Sequence, residues 1–217
     1  MNIEKARYNM IEQQIRPWNV LDEGVLHLLS VIKREDFVPV AYKGLAFADI
    51  EIPLAGGQCM LSPKVEARLV QDLAVKATDK VLEVGTGTGF VTALLSKQAQ
   101  RVISYEINAE LATLARANLQ KQGISNVEIR QGDGSQGSPS DGQFDAILLS
   151  GSVAQAPKNL LTQLKVGGRL VAIVGDDPVM SATTFTRTGA DAYTTTALWE
   201  TIVPRLQHFA EPARFSL

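Results

Sequence analysis

The sequence predicts an α/β protein built on a doubly wound, mostly parallel sheet, with helices ahead of it and an antiparallel hairpin behind it. Three observations carry this expectation. Between residues 80 and 174, short apolar runs alternate with segments of helical periodicity, the order that places helices between parallel strands. The run Leu170–Val174 is almost wholly apolar, as in strands covered on both faces. A glycine-rich turn, Gly85-Thr86-Gly87-Thr88-Gly89, joins the first run to the segment after it, the usual passage from strand to helix in such folds.

The elements follow in order. Met10, Ile11, Gln14 and Ile15 fall at helical spacing until Pro17 ends the run, since proline has no N–H to continue it. Asp22 is placed to cap a helix carrying Val25, Leu26, Leu29 and Ile32, with His27 packed on its apolar face. Ile52-Pro53-Leu54-Ala55-Gly56-Gly57 is a turn-rich break. Ser62 and Pro63 occupy the N-cap and first position of a helix whose apolar face is Val65, Leu69, Val70 and Leu73. Strands are expected over 80–84, 101–106, 127–131, 145–149 and 170–174. Helices are expected around 91–95 and over 108–122, the latter stopped by Gly123. Another, marked by Leu160, Leu161 and Leu164, should end at Gly167-Gly168. Threonine-rich runs 183–188 and 193–201 flank Gly189-Ala190-Asp191 as an edge hairpin.

Composition narrows the function. A chain of 217 residues fits one domain with extensions. A net charge of −2 and a pI near 5.7 argue against a dedicated nucleic-acid binder, which carries a basic excess. One cysteine, Cys59, rules out an intrachain disulfide and a cysteine-rich metal site. His27 and His208 are too far apart for a local zinc motif, so no metal is expected. The polar, mixed-charge start lacks a signal-peptide core, and no apolar run is long enough to span a bilayer. A soluble, cytoplasmic protein without membrane partners is the expectation.

The glycines at 85, 87 and 89 form G-x-G-x-G, not the dinucleotide spacing G-x-G-x-x-G. Glu83, two residues ahead, would sit poorly beside a pyrophosphate and well beside a cationic, phosphate-free ligand. S-adenosylmethionine fits that description, with S-adenosylhomocysteine as its product. Glu106 ends the second strand about 20 residues past Gly85, suited to the ribose hydroxyls. Gly132-Asp133-Gly134 follows the third strand, placed to meet the adenine amino group. The expected cofactor set is Glu83, Gly85, Thr86, Gly87, Gly89, Glu106, Ile107, Asp133 and Gly134. Glu83 and the glycines form its methionine-side wall.

Over residues 8–206 the chain resembles the protein-L-isoaspartate O-methyltransferase family. The resemblance runs through Met10-Ile11-Glu12-Gln13-Gln14-Ile15 and Arg34-Glu35-Asp36-Phe37-Val38-Pro39. It continues through Asp49, Pro53, Gly57-Gln58 and Pro63, the stretch from Asp145 to Gly175, and Val203-Pro204-Arg205-Leu206. It implies a Rossmann-like methyltransferase fold in one domain, with an N-terminal helical lid and acceptor loop (1–60), a cofactor core (61–175) and a C-terminal hairpin and tail (176–217). It also implies methylation of the α-carboxylate of L-isoaspartyl residues for protein repair. The partner is then a protein or peptide bearing isoaspartate, the enzyme a monomer or homodimer. Gln58, Leu61, Val203 and Pro204 would border the acceptor.

The acceptor loop departs from the family pattern Gly-x-Gly-Gln-Thr-Ile-Ser-x-Pro, reading Ala55-Gly56-Gly57-Gln58-Cys59-Met60-Leu61-Ser62-Pro63. Cys59 replaces Thr, and Leu61 replaces the Ser beside the transferred methyl. Ser62 and Cys59 are therefore the candidate catalytic side chains, with helix capping and simple packing as their competing roles. Glu51 stands at a usual Pro and Phe90 at a usual Tyr. These departures leave open a different methyl acceptor, or a cofactor-binding regulatory module without turnover. Beyond Leu206, the apolar Phe209, Phe215 and Leu217 read as packing residues. Trp18 and Trp199 read as core or edge packing.

Overall fold

The computed structural model describes residues 2–211; Phe215 and Leu217 lie outside them. Helix α1 (Ile3–Met10) runs on through a π turn at Ile11–Ile15 and a 3-10 turn at Arg16–Trp18, where Pro17 sits. Helix α2 (Glu23–Val31) follows, then a two-rung hairpin of β1 (Ile52–Pro53) and β2 (Cys59–Met60), then α3 (Pro63–Leu73). The core alternates β3 (Lys80–Val84), α4 (Phe90–Gln98), β4 (Arg101–Glu106), α5 (Ala109–Lys121), β5 (Val127–Gln131), β6 (Phe144–Val153) and α6 (Lys158–Leu161). It closes with β7 (Leu164–Asp176), β8 (Val179–Arg187) and β9 (Tyr193–Glu200).

Seven strands form one sheet in the order β5-β4-β3-β6-β7-β8-β9. The first five are parallel, and β8 and β9 join antiparallel at one edge. The chain winds outward from β3 to β5 and returns to lay β6 beside β3. The crevice at that reversal, at the carboxyl ends of the strands, is where open α/β sheets take ligands. Alternate residues feed opposite faces, as strand geometry requires. Val81, Ala146 and Leu148 join the N-terminal helices in one core cluster, and Leu82, Val84, Ile147 and Leu149 build the other.

Local chemistry explains the helix ends. Asp22 accepts from the Val25 amide at 3.0 Å and Asn108 from the Glu110 and Leu111 amides, satisfying N–H groups that the first turn leaves unpaired. Ser62 occupies the N-cap position of α3, but its hydroxyl makes no capping bond. His27 is exposed on α2 instead of packed in the core, because at helical spacing it falls outside the one buried face that Val25, Leu26 and Leu29 form. Trp199 is half-buried with its N–H on Asp72 at 2.6 Å, and Trp18 is at the surface beneath the Lys64 ammonium.

One expected element is corrected. The helix drawn through Leu164 to Gly167-Gly168 stops at Leu161, and Leu164 already opens β7. Three leucines at helical spacing cannot distinguish a short buried helix from a strand entrance. The glycines instead serve an irregularity in the β6–β7 pairing, between Phe144↔Leu164 and Ala146↔Arg169. A Cβ on Gly168 would lie 2.9 Å from the Lys165 carbonyl oxygen, 3.0 Å from that of Phe144 and 3.1 Å from that of Asp145. Because these obstacles are backbone, Gly168→Ala should cost about 1–3 kcal/mol by overpacking. Urea unfolding measures this, and an unchanged midpoint would count against the close approach.

Candidate active site

Three loops converge at the carboxyl edge. In the glycine loop, Gly85 and Gly87 adopt φ of 97° and 56°, which favours glycine. The amides of Gly85 and Thr86 both donate to the Tyr105 carbonyl, pinning the loop to β4. Glu106, at the end of that strand, accepts from the Gly87 amide at 2.8 Å and the Asn108 amide at 2.9 Å. Burial pushes its pKa upward, against the pull of those amides. Asp133 accepts from the Ser135 amide at 2.8 Å and lies 3.0 Å from His208 Nδ1. Burial opposes its ionisation, but Ser135 and His208 outweigh that and hold the carboxyl below its usual value.

Glu83 is placed differently from the expected wall. It is fully buried. Its carboxylate receives the hydroxyls of Thr92 at 2.5 Å, Ser104 at 2.8 Å and Ser150 at 3.0 Å. Burial pushes its pKa up to about 7 in spite of these three donors. It stands behind the cleft surface, which Gly85, Thr86 and Ser150 form.

Two small cavities sharing Gly85 lie over these loops. One, of about 40 Å³, is bounded by Gln58, Glu106, Ile107, Asp133, Gly134 and Leu206. The other, of about 30 Å³, is bounded by Cys59, Leu61, Glu66, Thr86, Phe90 and Ser150 among others. Both are smaller than the ~300 Å³ or more of a usual ligand cleft, and Gln58, Leu206 and Gln207 are among the residues lining the first. Neither cavity is lined by Lys, Arg or His, while Glu66, Glu106 and Asp133 line them. Such an acidic, cation-free surface suits a sulfonium and an ammonium and opposes a pyrophosphate.

On the acceptor side, Gln58 borders the first cavity, and Cys59 and Leu61 the second. Burial first, and then the Glu51 charge, pushes the Cys59 thiol up to about 12, a shift that disfavours the nucleophilic thiolate at neutral pH. Ser62 is buried and is not among the residues bounding the second cavity. Leu61 is held by Arg34, a buried guanidinium that pairs with Glu66 at 2.9 Å and donates to the Leu61 and Ala46 carbonyls. Burial raises the Glu66 pKa and Arg34 opposes it. Val203 is buried, and its carbonyl and that of Pro204 are engaged by Ser152. The next residue but one, Leu206, reaches the cleft.

Sequence reasoning missed Ser150 and Gln207 as cleft residues and Arg34 as the anchor of the acceptor loop, whereas Leu206 belongs to the Val203–Leu206 segment expected at the acceptor and does line the first cavity. Arg34 lay inside a recognised segment but carried no sign of its partner; Ser150 had no signal at all.

A family model described as protein-L-isoaspartate(D-aspartate) O-methyltransferase (PCMT) matches residues 5–204. The chain belongs to this family. A protein-L-isoaspartate O-methyltransferase of Koribacter versatilis is 42% identical over 80% of this chain and 77% of its own length. That of Myxococcus xanthus is 43% identical over 72% of this chain and 74% of its own. Among solved structures, a Plasmodium falciparum PCMT in complex with S-adenosyl-L-homocysteine superposes with a TM-score of 0.78 over 95% of this chain and 99% of its own, at 19% identity. At that identity the likeness concerns the Rossmann-like methyltransferase fold. The PCMT family uses S-adenosylmethionine, and the acidic, cation-free cleft suits that donor. Among the described residues no helix is long and apolar enough to cross a membrane.

The buried Glu83 makes a pH prediction. Its folded pKa of about 7 lies above the ordinary 4.5, so its contribution to stability is complete below pH 4.5 and is lost as pH rises through 7. At 1.36 kcal/mol per unit, wild type should lose about 3 kcal/mol more than Glu83→Gln across that window. Unfolding free energies of both proteins against pH measure the difference; parallel curves would refute it.

Proposed function

We propose that this protein methylates the α-carboxylate of L-isoaspartyl residues in damaged proteins, the ester then closing to a succinimide and permitting repair. The carrying observation is an acid-lined, cation-free cleft beside the Gln58–Ser62 acceptor loop, in a chain of this family. The bound S-adenosylmethionine supplies an electrophilic methyl on a sulfonium. Gly85, Thr86, Gly87 and Gly89 would border its methionine part, Glu106 and Ile107 its ribose, and Asp133 and Gly134 its adenine. Gln58 and Leu61 would border the acceptor, with Val203 and Pro204 supporting it through their backbone.

The acceptor needs no general base, because a carboxylate is ionised at pH 7. The protein's task is to align it and exclude water. Cys59, Met60, Leu61 and Phe90 provide an apolar wall for that exclusion. The protonated Cys59 thiol acts there as packing.

Methyl transfer from labelled donor to a paired isoaspartyl and normal aspartyl peptide tests this, with turnover expected on the isoaspartyl peptide alone. Silence on both, with S-adenosylhomocysteine still bound, would assign the cleft to another acceptor. Leu61→Ser restores the family's hydroxyl. A hydrogen bond to a charged group is worth about 1.5–3 kcal/mol, so kcat/KM for the isoaspartyl peptide should rise about tenfold. Leu61 is only 6% exposed, so the variant should also lose about 2 kcal/mol of stability. Circular dichroism confirms the fold before rates are compared.

A further inference from the structure

The short β1–β2 hairpin carries a charge on its outer face. Pro53 lies opposite Cys59 and Ile52 opposite Met60. Successive side chains along a strand alternate between faces, and Ile52 and Met60, both buried, point to the core. Glu51, Pro53 and Cys59 share the other face, where Glu51 and Pro53 are exposed and Cys59 is half-buried. Glu51 is thus the diagonal neighbour of Cys59, a spacing that long side chains bridge. The two interact, since the Glu51 carboxylate faces the Cys59 thiol and adds to the burial that opposes its ionisation. Cys59 in turn borders the second cavity, beside Leu61, Thr86 and Phe90. Glu51 therefore stands at the rim of the acceptor side.

The other acids on this side each have a cation. Asp49 pairs with Lys64 at 2.6 Å and Glu66 with Arg34 at 2.9 Å. Glu51 has no ion-pair partner among the described residues, and no Lys, Arg or His lines either cavity. Its charge is also particular to this chain, because the family pattern places a neutral proline there. An acceptor that docks brings its own carboxylate to the same loop. A further acidic side chain beside that carboxylate would meet Glu51 with part of the water displaced, where like charges repel more strongly than in bulk solvent. A lysine or arginine in the same place would be attracted for the same reason.

We propose that Glu51, unpaired at the rim beside Cys59, sets the acceptor preference of this protein, favouring isoaspartyl sites flanked by lysine or arginine over sites flanked by aspartate or glutamate. Glu51 is then a specificity-determining residue: it meets the neighbour of the reacting residue and takes no part in the methyl transfer. This rests on the isoaspartyl reading of the acceptor loop and narrows it to a class of substrate. The effect is electrostatic, so it weakens as salt shortens the screening length from about 10 Å at 0.1 M to about 3 Å at 1 M.

Methylation rates on isoaspartyl peptides carrying Lys, Gln or Glu in turn, just before or just after the isoaspartate, test the proposal. An exposed ion pair changes an association constant by up to about fivefold. With attraction set against repulsion, wild-type kcat/KM should differ about tenfold between the Lys and Glu peptides at the more sensitive flank, the Gln peptide lying between. The difference should reside in KM and shrink to about twofold in 1 M salt. Glu51→Gln, of nearly the same shape at an exposed position, should bring the ratio to about one, and Glu51→Lys should invert it. Wild type that methylates every peptide at an equal rate would overturn the role of Glu51 while leaving the isoaspartyl reading intact. A preference that persists in both variants would overturn it equally, by placing the selecting charge elsewhere. Methylation of none of the peptides, with S-adenosylhomocysteine still bound, would remove the isoaspartyl reading and the proposal together.

Discussion

A carboxylate with no access to water, that of Glu83, organises the centre of this protein. Burying such a charge is tolerable only when donors surround it. They come from three directions: Thr92 on α4, Ser104 on β4 and Ser150 on β6. The helix after the glycine loop and both neighbours of β3 are thereby held in one arrangement. The glycine loop inherits its shape from this, because its amides close onto the Tyr105 carbonyl and the Glu106 carboxylate of the same β4.

A second buried charge settles the acceptor side. The hairpin of β1 and β2 has only two residues per strand, too little to hold a conformation alone. Its exit is fixed instead by Arg34, which joins Glu66, Ala46 and Leu61 and lies over the Phe90 ring at 5.7 Å. Removing one partner of a buried pair typically costs about 3–5 kcal/mol, because the other charge is left uncompensated. The N-terminal segment, which carries Arg34, is in this way part of the site's support and no mere preamble.

The C-terminal end completes the cleft. Residues 203–206 run beside the end of β6, with the Ser152 amide and hydroxyl on Pro204 and Val203 and the Leu206 amide on the Ser152 carbonyl. Arg205 anchors the segment to the Gly175 carbonyl and Asp176. Gly151 makes room for Leu206, whose Cγ lies 2.8 Å from where a Cβ on Gly151 would stand. Phe209 packs against the adjoining core cluster, and His208 meets Asp133, joining the tail to the far rim of the cleft.

The alternation of apolar runs and helical segments was enough to read the parallel sheet, its edge hairpin and the three loops at its carboxyl edge, because strand burial and glycine turns leave local marks. The spacing of Glu83, the glycines, Glu106 and Asp133 likewise placed the cleft. Pairing left no such mark. Nothing near Arg34 in the chain announces Glu66, and nothing near Ser150 announces Glu83. Gly167-Gly168 reads as a helix stop until the β6–β7 register shows a strand irregularity. Glu83 itself was legible as an acid at the right place, but its burial was not, since desolvation depends on what three separate elements bring around it. Local sequence determined which groups stand at the edge of the sheet; only tertiary packing decided which of them line the cleft and which stand behind it, because both hydrogen-bond partners and loss of solvent are set by neighbours distant along the chain.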